Sequence, residues 1–221
     1  MQNHREDGHM QEANLVRMFL SAPIDHLGYS RAVATARGKK QRDVTILNTS
    51  LAHEPDDLYL HFKRLEQARF WGDQTLWLSS AQYAYEAILR TPKTALGHWA
   101  GELVVMVALG LHPDDAAAAQ AVLDALALPL DESAAVLQCR GELLERGGQL
   151  AKAAEMFERA LQCRAPLVNQ QLAGVRPLMG LVRLAIASGD MPRARDFLNR
   201  ALQLEPADPE ALFARQMLFA S

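Results

Sequence analysis

Along GELLERGGQLAKAAEMFERALQCRAP, residues 141–166, apolar side chains return every three or four positions, the period of an amphipathic helix. Gly147 and Gly148 interrupt the run, and glycine just past a helix end is a stop signal. The stretch therefore predicts helix, tight turn, helix. Ala153 and Ala160 fall on one face of the second helix. Small side chains there let another helix approach closely, and Phe157 between them fills the gap. Gly141 has the same role on the first helix. A lone pair of this kind cannot bury its remaining apolar faces, so the pattern asks for similar neighbours.

The spacing recurs. Downstream, Gly189, Ala194, Leu198 and Ala201 repeat Gly148, Ala153, Phe157 and Ala160, and Pro206 stops the second helix. Upstream, residues 55–92 place a turn at Gly72-Asp73 and a closing group at Ala87-Ile88-Leu89, about one helical turn late. In the stretch between, Gly101 is the small residue and Gly110 the break. His112-Pro113-Asp114-Asp115 then opens a helix that closes at Ala125-Leu126. The closing alanines Ala87, Ala125, Ala160 and Ala201 are separated by 38, 35 and 41 residues. Asp208-Pro209, a capping residue followed by proline at the first helical position, opens a last single helix.

A helix–turn–helix unit of about 34 residues with insertions resembles the tetratricopeptide repeat. The resemblance covers residues 58 to 206 and is strongest over 134–166. It implies an all-α fold, a right-handed helical solenoid of about four helix pairs plus a capping helix. Residues 58–221 would form the repeat domain, and residues 1–57 an irregular lead-in ending in a first helix. A generic helical bundle is the alternative.

The lead-in has its own order. A short extended stretch reaches His26, Gly28 and Tyr29. A basic segment with Lys39, Lys40 and Arg42 follows. An amphipathic helix then carries Val44, Ile46, Leu47 and Leu51 and is ended by Pro55. With Asp56, Asp57, Gly72 and Asp73, this order is similar to the C-terminal region of bacterial family-two glycosyltransferases that carry tetratricopeptide repeats. The resemblance spans residues 22–90. It implies a chain that positions an acceptor for a catalytic domain. The family's metal-binding Asp-x-Asp is absent from the whole sequence. That motif holds the cation that neutralises the leaving diphosphate, so this chain alone is expected to transfer no sugar.

Composition narrows the classes further. Hydrophobic residues make up 49% and charged residues 22% of the chain, as in an ordinary folded domain. A net charge of −3 gives no electrostatic case for nucleic acid. No apolar run reaches the roughly 18 residues of a membrane span. The polar start MQNHREDGHMQ lacks a signal-peptide core, which points to the cytoplasm unless a leader was removed. Cys139 and Cys163 alone imply no disulfide framework and read as buried or inert thiols. Trp71, Trp77 and Trp99 read as packing, and His4 and His9 as part of a polar terminus. No phosphate loop, His-Glu-x-x-His, Cys-x-x-Cys or Gly-x-Ser-x-Gly occurs. No cofactor, metal or catalytic residue is expected.

The resemblance implies a partner-binding concave groove lined by the first helix of each unit. In the first unit those positions hold Tyr59, Phe62, Glu66, Arg69 and Phe70. The second holds His98, Glu102, Val105 and Met106. The third holds Gln138, Glu142, Glu145 and Arg146, and the fourth Arg176, Met179, Arg183 and Ile186. The expected groove is aromatic at one end, acidic in the middle and basic at the other. A protein or peptide is the expected partner. The closing helix, with Leu212, Phe213, Met217, Leu218 and Phe219, suggests a homo-oligomer contact.

Overall fold

A computed structural model describes residue 35 and residues 38–92, 97–126, 133–164 and 169–219. His26, Gly28, Tyr29, His4 and His9 lie outside them. The described residues form ten α-helices, one 3-10 helix and no strand. The helices are α1 (Lys39–His53), α2 (Leu58–Trp71), α3 (Gln74–Arg90), α4 (Ala100–Leu111), α5 (Ala116–Leu126), α6 (Ala134–Arg146), α7 (Leu150–Gln162), α8 (Val175–Ala187), α9 (Met191–Leu204) and α10 (Pro209–Phe219); the 3-10 helix is Gln170–Ala173. This all-α architecture is consistent with a helical repeat.

Aspartates cap five of the ten described α-helices. Asp57 accepts from the backbone N–H of Tyr59 and Leu60, Asp73 from Leu76, Asp115 from Ala118, Asp190 from Arg193 and Asp208 from Ala211. Each carboxylate satisfies N–H groups that the first turn leaves without an intrahelical partner. Three of the four hairpin turns are the same turn. Gly72, Gly148 and Gly189 have φ of 65°, 71° and 75°, a left-handed conformation glycine adopts without steric cost. The next residue's N–H reaches back to the preceding helix in each case: Asp73 to Ala68, Gln149 to Leu144 and Asp190 to Ala185, at 3.0, 2.9 and 2.9 Å. This is the Schellman arrangement.

The fourth turn differs from the expectation. Gly110 lies inside α4 and does not break it. A Cβ at Gly110 would stand 2.7 Å from Cβ of Ala81 and 2.8 Å from Nε1 of Trp77. Its missing side chain therefore lets α4 lie close on α3. The chain turns instead at His112 to Asp115.

The second helices repeat one buried triad at i, i+4 and i+7. It is Ser80, Ala84 and Ala87 in α3, and Ala119, Leu123 and Leu126 in α5. In α7 it is Ala153, Phe157 and Ala160, and in α9 Ala194, Leu198 and Ala201. In the second unit the closing position is Leu126, and Ala125 faces solvent. The apolar spacing identified the helix but assigned the alanine to the wrong face. Leu89 is likewise 59% exposed, leaving Ala87 and Ile88 to close α3.

Each helix packs against the next in sequence, and the first helices also touch in series: α2 with α4, α4 with α6, α6 with α8. Phe157 of α7 joins the last two. Its Cδ1–Cε1 edge fills the space over Gly141 of α6, and its Cδ2–Cε2 edge the space over Gly180 of α8. A methyl group at either glycine would overlap the ring. The helix expected at the end of the lead-in is present as α1, but none of its residues is buried and Ile46 is 56% exposed.

Candidate functional site

The predicted groove residues divide by depth. Phe62, Gln138, Met106 and Met179 are buried at 2%, 3%, 4% and 2% exposure. Phe62 is thus core rather than an accessible anchor, because Trp99 stacks on it with ring centroids 5.8 Å apart. Gln138 spends its amide on Glu142 at 2.9 Å. Tyr59, Arg69, His98, Arg146, Arg176 and Ile186 are exposed, and Glu66, Phe70, Glu102, Val105, Glu142, Glu145 and Arg183 are half-buried.

The aromatic end is an assembled cluster. Tyr59 lies 5.5 Å from Trp99 and 6.3 Å from Phe62. The Lys63 ammonium stands 5.8 and 5.7 Å from the Tyr59 and Phe62 rings and pairs with Glu66. Toward the other ends of α2 and α4, these helices and α3 border an open pocket of about 370 Å³. Arg69, Val105 and Met106, three predicted groove positions, line it with Trp77, Leu109 and Pro113. The volume is in the range of small-ligand pockets and suits a bulky side chain of a peptide.

The expected march of charge is largely consumed within the chain. Arg183 of α8 donates from Nε and Nη2 to the two oxygens of Glu145 of α6, each at 2.9 Å, and from Nη1 to Glu210 of α10 at 2.7 Å. The Glu145 hydrogen bonds hold this guanidinium firmly charged. It ties α6, α8 and α10 together and offers a partner little net charge. Glu102 accepts the backbone N–H of Asn169 at 3.0 Å. Sequence reading missed that contact. Asn169 follows α7 and begins the 3-10 segment, which packs on α6, α7 and α8. The unit holding it is the longest by the closing-alanine spacing, and this was the available signal. Gln171 in the same segment donates to Glu205 at 2.7 Å.

Residues on which the expected glycosyltransferase resemblance rests have local structural partners. Lys40 pairs with Asp73 at 2.8 Å. The Leu76 N–H and then Lys40 hold the Asp73 carboxyl below the usual carboxylate range. The Pro55 carbonyl accepts from His61 Nε2 at 2.8 Å, Asp56 pairs with Arg90 at 2.7 Å, and Asp57 caps α2. Cys139 is buried, and burial, with Glu142 adding to it, pushes its thiol up to about 12, which leaves it inert at neutral pH. No helix among the described residues is long and apolar enough to cross a membrane.

No protein-family model matches the chain, and no curated protein matches it.

Proposed function

We propose that the chain is a non-catalytic interaction scaffold of tetratricopeptide type, with its helix pairs stacked as a solenoid. A protein or peptide lies along the face of α2, α4, α6 and α8. The observation that carries this reading is the serial contact of those four first helices. On this reading, exposed side chains from four separate units share one surface. The cavity beside Arg69 supplies the anchor point, and Tyr59, His98, Arg146 and Arg176 extend the contact. Aromatic and arginine side chains are the ones most often found to dominate such contacts. Phe62 and Gln138 support the surface from below, and the Glu145–Arg183 pair sets its rigidity rather than its polarity.

Photocrosslinking in cells of the source organism tests this. A benzophenone residue at Tyr59, His98 or Arg146 should trap one common partner. The same residue at Glu155 or Asp196 on the second helices should not. Arg69→Glu should weaken the Tyr59 crosslink several-fold. Crosslinking only from the second helices would refute the assignment of the face.

A second reading is that the scaffold belongs to a family-two glycosyltransferase and positions its acceptor. Its support is that Lys40, Pro55, Asp56, Asp57, Gly72 and Asp73 take part in one connected structure over α1 to α3. A nucleotide-sugar domain with Asp-x-Asp encoded in frame or beside this gene would favour it.

A further inference from the structure

Helix α4, AGELVVMVALGL, carries a single charged residue, Glu102, and the Asn169 N–H takes it up. Val105 and, one helical turn on, Leu109 stay half-buried. Both line the open pocket of about 370 Å³ bordered by α2, α3 and α4, together with half-buried Trp77 and exposed Pro113. The expected groove positions of α6 are Gln138, Glu142, Glu145 and Arg146, all polar. The apolar surface of the pocket is therefore not continued onto α6. Two charged side chains line the pocket, Asp73 and Arg69. Asp73 is matched, since it caps α3 and pairs with Lys40 at 2.8 Å. Arg69 is exposed and has no ion pair among the described residues. Elsewhere on the first helices, Lys63 is held by Glu66 and Arg183 by Glu145. In the turn after Pro113, Asp115 caps α5, and Asp114 lies outside the lining.

We propose that this pocket takes a bulky apolar side chain of a partner peptide, and that an Asp or Glu beside that side chain pairs with Arg69. The inference rests on the reading of α2, α4, α6 and α8 as the binding face and adds the chemistry of the anchor residue. The apolar side chain lies against Trp77, Val105 and Leu109, and removing their exposed area from water drives its entry. The peptide carboxylate supplies the opposite charge that Arg69 lacks. Arg69 stays in contact with water, so the pair contributes selectivity and a modest gain rather than most of the affinity. A lysine or arginine in the acid's place would face Arg69 and be repelled.

The test is a titration of the full chain with acetyl-Asp-Phe-amide, acetyl-Asn-Phe-amide and acetyl-Asp-Ala-amide. The indole N–H of Trp77 is followed by ¹H–¹⁵N correlation NMR and assigned through Trp77→Phe. Acetyl-Asp-Phe-amide should shift that signal saturably. It should bind about two- to fivefold tighter than the asparagine peptide, the range of an exposed ion pair, and the advantage should shrink as salt is added. The alanine peptide should bind more weakly than either. Arg69→Gln, a change at an exposed position, should make the aspartate and asparagine peptides equal while keeping the phenylalanine response. A Trp77 signal unmoved by both phenylalanine peptides at tens-of-millimolar concentration overturns the proposal. So does equal binding of the two by the native chain, or a preference for aspartate that survives in Arg69→Gln. Failure of the peptides counts against the anchor chemistry even where Tyr59 and His98 crosslink a partner. Crosslinks confined to the second helices would instead overturn the binding face, whatever the peptides do.

Discussion

His61 shows how a single side chain records its surroundings. Burial holds its pKa below the ordinary histidine value, and the nearby Arg64 adds to this. The Pro55 carbonyl opposes it. The folded pKa is thus depressed relative to an unfolded value of about 6.5. The neutral ring is compatible with the fold. The contribution is fully present above the unfolded pKa and declines as pH falls through the folded one. Urea midpoints of the native chain should therefore fall between about pH 7 and pH 5, and the fall should be shallower in His61→Gln. Equal slopes for both chains would show that His61 is not the group concerned. Nothing in the sequence around His61 announces this. Its partner is a backbone carbonyl in the preceding turn, and carbonyl placement leaves no residue signature. Asp208 is the contrary case, since it precedes a proline at the first helical position and was readable as a helix start.

At the scale of elements, the hairpin of α6 and α7 was fully legible, because Gly148, Ala153, Phe157 and Ala160 each answer one geometric need. The first needs positive φ, the next permits close approach, and the ring fills what remains. Gly110 was misread because a glycine for close packing and a glycine for a turn look alike in a sequence. Pro113 and Asp115 were the better markers of that turn. Gly180 was missed because its reason is a ring from another hairpin. The wedge has a direct consequence. Gly141→Ala and Gly180→Ala each force a methyl group into the Phe157 ring and should cost about 1–3 kcal/mol, as overpacking does. Phe157→Ala should cost about 3–5 kcal/mol through the cavity it leaves. In the double variant Gly141→Ala, Phe157→Leu, the two losses should be less than additive, since the smaller side chain makes room for the methyl group. Additive urea-derived losses would mean that ring and glycine do not meet.

Across the whole molecule, the order of helix pairs and the closing helix could be read from periodicity. Which groove positions stay accessible could not. Phe62 is covered by Trp99, Arg183 is taken by Glu145 and Glu210, and Glu102 by Asn169. Those pairings join residues distant in sequence, so no local pattern reveals them. The end of the chain keeps an apolar surface. Ala211 of α10 is buried, and Leu218 packs on the second half of the core. Phe213 and Met217 are 65% and 68% exposed. Exposed apolar side chains grouped in this way favour association, so concentration-dependent association of this chain is expected in sedimentation velocity. It should be weakened by the double variant Phe213→Ser, Met217→Ser. A native chain that stays monomeric at the highest attainable concentration would remove this surface from consideration. Successive first helices packed into one face require Phe157 to sit wedged between α6 and α8. The measurement that reaches it most directly is a nuclear Overhauser spectrum of the full chain with labelled phenylalanine and glycine. Cross-peaks are expected from the Phe157 ring protons to the α protons of both Gly141 and Gly180. A ring that sees Gly141 without Gly180 would leave α6–α7 an isolated hairpin and contradict the continuous face.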